Sequence, residues 1–148
     1  MKVILYPDKQ LKEKAERILV DEIGTLKTKK LVAEMSKIML EKDGIGLAGP
    51  QVGISKRIIV IATQDGAIPF FNPKIVKKTW RTEIAEEGCL SVPGVYGRVK
   101  RHVGVTIEYY DIDAHKKILS AKGLLARVFQ HEIDHLEGIL FIDKLIKN

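Results

Sequence analysis

Hydrophobic positions along the chain follow two periods. Between Thr25 and Lys42, Leu31, Met35, Ile38 and Met39 recur at steps of three and four, and lysines and glutamates fill the other positions. This spacing puts the apolar side chains on one face and predicts an amphipathic helix, capped by Thr25 or Thr28 and ended by Asp43-Gly44. Leu11, Ala15, Ile18 and Leu19 have similar spacing over a shorter stretch and predict a brief helix there. Leu124, Leu125, Val128 and Phe129 start a further helix after Gly123, and Gly138 ends it.

Other segments favour extended chain. Val3–Leu5 reads as a short strand or extended segment stopped by Tyr6-Pro7-Asp8, and Arg57 to Ala62 as a β-branched strand. Ile68 to Val76 reads as two extended pieces bent at Pro73. Tyr96 to Lys100 and the alternating Val103 to Tyr110 are further strands, and Lys117 to Ala121 returns after a hairpin turn at Asp111–His115. Trp80, in the loosely alternating stretch from Lys77 to Ala85, is read as a packing residue. Two stretches look irregular. Gly44–Gly53 has four glycines and one proline, which excludes a regular helix or a central strand. Glu86–Gly94 holds the single cysteine, Cys89. The pattern predicts an α+β fold of short, mostly antiparallel strands and sheets around one central buried helix. The apolar run Ile139–Ile142 is placed to cover its core.

Composition narrows this picture. A chain of 148 residues fits one domain, residues 1–148, with a real hydrophobic core. Hydrophobic content of 45% beside 30% charged residues argues for a folded chain and against disorder. No apolar run approaches the roughly 18 residues that span a membrane. The first residues lack a signal peptide's cleavage pattern, so a cytoplasmic protein is expected, with a processed organellar form also compatible. A net charge of +6 is most simply a lysine-rich solvated surface. It also favours anionic partners, including ribosomal RNA. One cysteine allows no internal disulfide.

The chemistry concentrates in His131-Glu132-Ile133-Asp134-His135. On a helix the two histidines share a face and can hold one divalent metal, and Glu132 beside them can handle a proton. The plainer reading is a surface helix with two solvated histidines. A metal needs a third ligand, and only 13 residues follow His135. Glu137 is set to point away from the histidine face, and Asp143 follows a helix stop. His102 and His115 read as partly exposed residues near strands, although either one could close a structural four-ligand site. Cys89 is the strongest donor, and with two histidines it leaves a position open for water. In such a site Glu132 takes a proton and passes it to a leaving amine. The Gln51 side-chain amide and the Leu90 backbone N–H are the candidate donors to the oxyanion. Hydrolysis of an amide or similar acyl group follows from this set. A zinc endopeptidase and a non-catalytic metal-binding domain are the alternatives.

Three stretches together resemble the peptide deformylase family: Gly44-Ile45-Gly46-Leu47-Ala48-Gly49-Pro50-Gln51, Glu87-Gly88-Cys89-Leu90-Ser91 and His131-Glu132-Ile133-Asp134-His135. The resemblance extends over essentially the whole chain. It implies a metal-dependent hydrolase that removes the formyl group from the N-terminal formyl-methionine of nascent polypeptides and releases formate. It implies Cys89, His131 and His135 as metal ligands, with Fe2+ as the usual native ion and Zn2+ or Ni2+ as substitutes. Glu132 becomes the general base and acid, and Gln51 and the Leu90 N–H the oxyanion donors. Backbone around Ile45 and Gly46 is expected to pair with an extended substrate, and Ile45, Leu124, Val128 and His131 to line the methionine pocket. N-formylmethionyl nascent peptides are the implied partners, with ribosome contact through the basic surface; no membrane and no sequence-specific nucleic acid are expected. The chain departs from the family pattern at Gly49-Pro50, where alanine is common, and at Arg127, where an apolar residue is frequent. Its tail ends before the C-terminal helix that many members use in ribosome docking, which puts helix-mediated docking in doubt.

Overall fold

The computed structural model describes residues 1–147. A short 3-10 turn at Lys9–Lys12 precedes helices α1 (Val20–Ile23) and α2 (Leu26–Glu41). Strands β1 (Gly46–Ala48), β2 (Ile58–Thr63), β3 (Gly66–Lys78), β4 (Thr82–Cys89), β5 (Val92–His102), β6 (Gly104–Tyr110) and β7 (Lys116–Lys122) follow, and then helix α3 (Gly123–Leu136). Five strands form an antiparallel sheet in the order β1-β2-β3-β6-β7, and β4 and β5 form a separate two-stranded ribbon.

β2 explains how the layers stack. Its residues Ile58 to Ile61 are all buried, so neither face meets water. Ile59 and Ile61 pack with Phe70, Ile107 and Phe129, on the α3 side. Ile58 and Val60 pack with Met35, Met39 and Leu47, on the α2 side. The period of two in a strand divides one apolar run between two helices. Each such side chain contributes about 1.5–3 kcal/mol by leaving water, which holds the sheet between α2 and α3.

Several expectations are met. Thr25 caps α2 by accepting the Thr28 N–H at 3.3 Å. The Lys117–Ala121 strand lies inside β7, and the alternating Val103–Tyr110 strand is β6 but for its first residue. Leu140 and Phe141 of the last apolar run are buried. β1 lies at the sheet edge, as a glycine-rich stretch permits.

Other expectations are corrected. Leu11–Leu19 forms no α-helix; only the 3-10 turn and then extended chain occur, because neighbouring elements capture the backbone. The Ala15 N–H donates to the Leu136 carbonyl at 2.9 Å, and the Arg57 N–H to the Glu16 carbonyl at 2.8 Å. Of the two alternatives for Val3–Leu5, the strand is excluded, since the segment lies outside both sheets; the Ile4 N–H donates to the Gln51 carbonyl at 2.6 Å. Ile68–Val76 is part of one strand, with the bend taken up by register shifts between Phe71 and Lys74 and between Ile75 and Lys77. Glu86–Gly94 is mostly regular hairpin: Glu87 pairs with Gly97 and Cys89 with Val92 around the tight turn Leu90-Ser91. Trp80 does not pack into the core. It sits between β3 and β4 and is 97% exposed.

Candidate active site

Helix α3 carries an unusual run of buried polar residues: Gln130, His131, Glu132 and His135. Gln130 anchors the run. Its Nε2 donates to the carbonyls of His102 and Ala126, both at 2.9 Å, and its Oε1 accepts the His102 N–H at 2.9 Å. The helix is thereby tied to the end of β5. The ribbon in turn delivers Cys89, whose Sγ lies 3.3 Å from His135 Nε2. One ligand atom each from Cys89, His131 and His135 fall within 4.8 Å of one another. Gln51, held because its Oε1 accepts the Ala48 N–H at 2.9 Å, directs Nε2 to Ser91 Oγ at 3.1 Å and towards Cys89 Sγ at 3.5 Å. The three motifs, far apart in sequence, meet at one point.

Glu87 organises the polar support. Arg101 clamps it through Nε at 2.9 Å and Nη2 at 3.0 Å, and Arg127 Nη1 adds a bond at 2.6 Å. Its other contact is His131 Nδ1 at 2.9 Å. Burial alone would raise the Glu87 pKa, but the hydrogen bonds from His131 and Arg101 hold it well below the usual carboxylate range. An ionised carboxylate only accepts, so His131 donates its Nδ1–H and turns Nε2 to the cluster, where it offers a lone pair once a metal displaces its second proton.

This cluster suits a cation. Burial disfavours a charged His131, yet Cys89, Glu132 and Glu87 around it lift its pKa to about 10. His135 goes the other way, pushed well below its ordinary value by burial and by the charges of His131 and Arg101. The pocket therefore attracts one positive charge, with a thiolate and two imidazoles as donors, which fits a first-row divalent metal. A metal has to displace the proton that His131 holds below about pH 10. Apparent metal affinity is expected to rise by up to about tenfold per pH unit from neutrality towards that value. Competition with a chelator across this range measures it; a pH-independent affinity would contradict it.

Glu132 is fully buried, and burial is the main cause that pushes its pKa up to about 7. Its Oε1 has no hydrogen-bond partner among the described residues, nor does His135 Nδ1. Gly46 makes room for this carboxylate: a Cβ at that position would lie 2.6 Å from Glu132 Oε2. In Gly46→Ala the added methyl also meets Glu132 Cδ and Cγ at 2.9 Å, so a buried side chain has to shift and thermal stability is expected to fall by about 1–3 kcal/mol. The displaced group is the proton-handling one, so turnover is expected to fall by on the order of 100-fold. Paired melting curves and kinetics separate the two effects.

A cavity of about 1120 Å³ opens over this point. Ile45, Gly46, Leu124, Val128, His131 and Glu132 are among the residues lining it. Val128 is buried, while Ile45 and Leu124 are exposed at 48% and 64%, giving the cleft apolar side chains open to an entering ligand. The other predicted site residues line this cavity, with Leu90 following Cys89 directly in the hairpin turn, while His135 lies behind it against Cys89. Glu137 binds Arg57 at 2.7 Å and Asp143 binds Lys12 at 2.8 Å, and His115 is exposed. Asp134, for which the sequence offers Arg101 or another base as a partner, receives Arg101 at 2.6 Å and Lys144 at 2.9 Å. Sequence reasoning missed Glu87 and Ser91 as supports. Their only signal was proximity to Cys89, since their partners lie across the fold.

The profile of the polypeptide deformylase family matches residues 1–148. The chain belongs to the peptide deformylase family. A peptide deformylase of Halothermothrix orenii is 49% identical over 95% of this chain and 90% of its own length. One from Desulforudis audaxviator is 42% identical over 96% and 91%. Among solved structures, the Thermotoga maritima peptide deformylase superposes with a TM-score of 0.92 at 36% identity, covering 99% of this chain and 97% of that one. The Met-Ala-Ser-bound class I type b peptide deformylase of Acinetobacter baumannii gives 0.94 at 34% identity, covering 98% of each chain. The deformylase fold is α+β, as expected. Peptide deformylases are metal-dependent hydrolases that remove the formyl group from N-formylmethionine, and this chain is an enzyme of that kind. Among the described residues no helix is long and apolar enough to cross a membrane.

Proposed function

We propose that this deformylase acts on N-formylmethionyl nascent peptides in the cytoplasm, with residues 1–148 forming one catalytic domain and Cys89, His131 and His135 holding one divalent ion. Fe2+ is the proposed native ion, with Zn2+ and Ni2+ as substitutes, because a thiolate with two imidazoles suits all three. Bound there, the ion supplies Lewis acidity to the formyl carbonyl and to a water. Glu132 holds the proton taken from the attacking water and delivers it to the leaving amine. One carboxylate serves both transfers, as base towards the water and then as acid towards the amine. The Gln51 Nε2–H and the Leu90 N–H donate to the oxygen that gains charge. Glu87 keeps His131 in the tautomer that presents Nε2.

Among the described residues β1 pairs only with β2 as a strand, so the backbone at Ile45 and Gly46 can take the substrate as an added strand. Leu124 and Val128 then receive the methionine side chain. The observation that carries this reading is the convergence of a Cys-His-His set, a buried unpartnered carboxylate and a side-chain amide beneath one apolar cleft. Its test is formate release from a formyl-methionyl peptide, with Fe2+ supplied without oxygen and metal content measured in parallel. No release by metal-loaded protein refutes it. The net charge of +6 supports contact with the ribosome through the basic surface.

A further inference from the structure

The residue least like its expected role is Trp80. It is 97% exposed, the highest value among the exposed large hydrophobic side chains. Burying a tryptophan is worth several kcal/mol, so one left in water suits a partner that covers it. Its setting is basic. Lys77, Lys78 and Arg81 flank it, are exposed, and make no ion pair among the described residues. The backbone here is held firmly: the Thr79 N–H donates to the Gly104 carbonyl at 2.9 Å, and Thr79 Oγ1 accepts the Gly104 N–H at 3.0 Å. His102 Nδ1 lies 2.8 Å from the Thr79 carbonyl. A second cleft of about 330 Å³ begins at the same place, lined by Lys77, Lys78, His102 and Lys144 among others. Its one acid, Asp134, is already neutralised by Arg101 and Lys144.

We propose that Trp80, with Lys77, Lys78 and Arg81 beside the second cleft, forms a docking surface for single-stranded or looped RNA. An exposed indole offers a stacking platform for one base, and unpaired cations beside it suit the phosphates on either side. Stacking tolerates any base, so the surface is not sequence-specific. The charge favours a polyanion over an ordinary protein face, and the aromatic platform favours an unpaired base over a duplex. The second cleft is lined by residues of β3, β5 and α3 together with Lys144, and none of them lines the first. An RNA held there leaves the peptide site free. The inference rests on the reading that the basic surface meets the ribosome, and it gives that contact a location.

Trp80 is the only tryptophan in the chain, so its own emission reports on this surface. An oligouridine of about 12 nucleotides, within the usual span of such sites, is titrated into the metal-loaded protein at about 50 mM salt. The expected result is saturable quenching of Trp80 emission. By anisotropy of labelled RNA, Trp80→Ala is expected to weaken binding about tenfold. Lys77→Glu with Lys78→Glu is expected to weaken it further and to lower the log–log salt slope by about 1.4, from about 0.7 per lost phosphate contact. Formate release from a free formyl-methionyl peptide is expected to stay unchanged in all these variants, so failure of RNA binding and failure of the deformylase reading are separate results. Absence of quenching, or RNA binding indifferent to these substitutions, overturns the proposal. So does quenching by vesicles of anionic phospholipid with none by RNA, which would make the surface a membrane contact.

Discussion

Glu132→Gln is expected to lower formate release from a formyl-methionyl peptide by about 10²- to 10⁴-fold while metal content stays at the parent level. The carboxylate is outside the Cys-His-His set, so its loss leaves the three ligands in place. Glutamine keeps its shape but cannot accept and return a proton. The same variant is expected to be at least as stable as the parent. Burial lifts the Glu132 pKa from 4.5 to about 7, so ionisation opposes folding of the metal-free protein. The sign is that of a carboxyl raised on folding: its penalty is absent below the unfolded value near 4.5, grows as pH rises, and is complete above about 7. Metal-free Glu132→Gln should therefore gain on the parent in urea unfolding across that window. A variant that keeps full turnover would remove Glu132 from the mechanism, whatever its stability.

Glu87→Gln carries the other large effect, and it acts on stability and metal together. Glu87 is the one acceptor shared by Arg101, Arg127 and His131. Removing its charge leaves two guanidinium groups partly uncompensated in a site where the Arg101 side chain is only 3% exposed. Breaking a buried pair in this way costs about 3–5 kcal/mol. His131 also loses the anion that fixes its tautomer, and such outer partners of a metal-bound histidine are worth about 10- to 100-fold in metal affinity. Urea unfolding of the metal-free protein and chelator competition read the two effects independently. An unchanged metal affinity would show that Glu87 serves only the two arginines. Because folding holds the Glu87 pKa low, its contribution is present at neutral pH and is lost as the medium turns strongly acid.

The helix expected to be central and buried is α3, and the ligands named from motif chemistry do converge. Local rules carried those predictions well. A helix puts residues four apart on one face, and a thiolate stands out when it is alone in the chain. The same rules failed for the segment from Leu11 to Leu19, where backbone hydrogen bonds to Leu136 and Arg57 outweighed the helical spacing. They failed again for Glu86–Gly94, whose glycines and proline suggested a loop. Pairing of β4 with β5 recovers most of that stretch as hairpin and sets Glu87 and Cys89 in one ribbon.

Charge partners were the least legible part. Arg127 looked out of place beside an apolar pattern, because nothing in its own helix explains a cation there. The fold supplies Glu87 at 2.6 Å and the Val99 and Glu83 carbonyls at 3.0 and 2.9 Å, so one side chain ties α3 to both strands of the ribbon. Gly46 is a similar case: its backbone was expected to meet an extended substrate, and only the packed structure identified the Glu132 carboxylate as the group needing the space.

By itself, the amino-acid sequence determined the kinds of chemical group present, the two periods that build helices and strands, and the motifs from which metal hydrolysis follows. Those features depend on neighbours within a few positions, which one-dimensional spacing records. The tertiary structure alone decided that Glu87 holds His131, that Glu132 is buried with its Oε1 unpartnered among the described residues, that Lys144 joins Arg101 at Asp134, and that Trp80 stands in water. Each depends on contacts between distant segments and on local exclusion of water, quantities that arise only when the sheet, the ribbon and α3 close on one another.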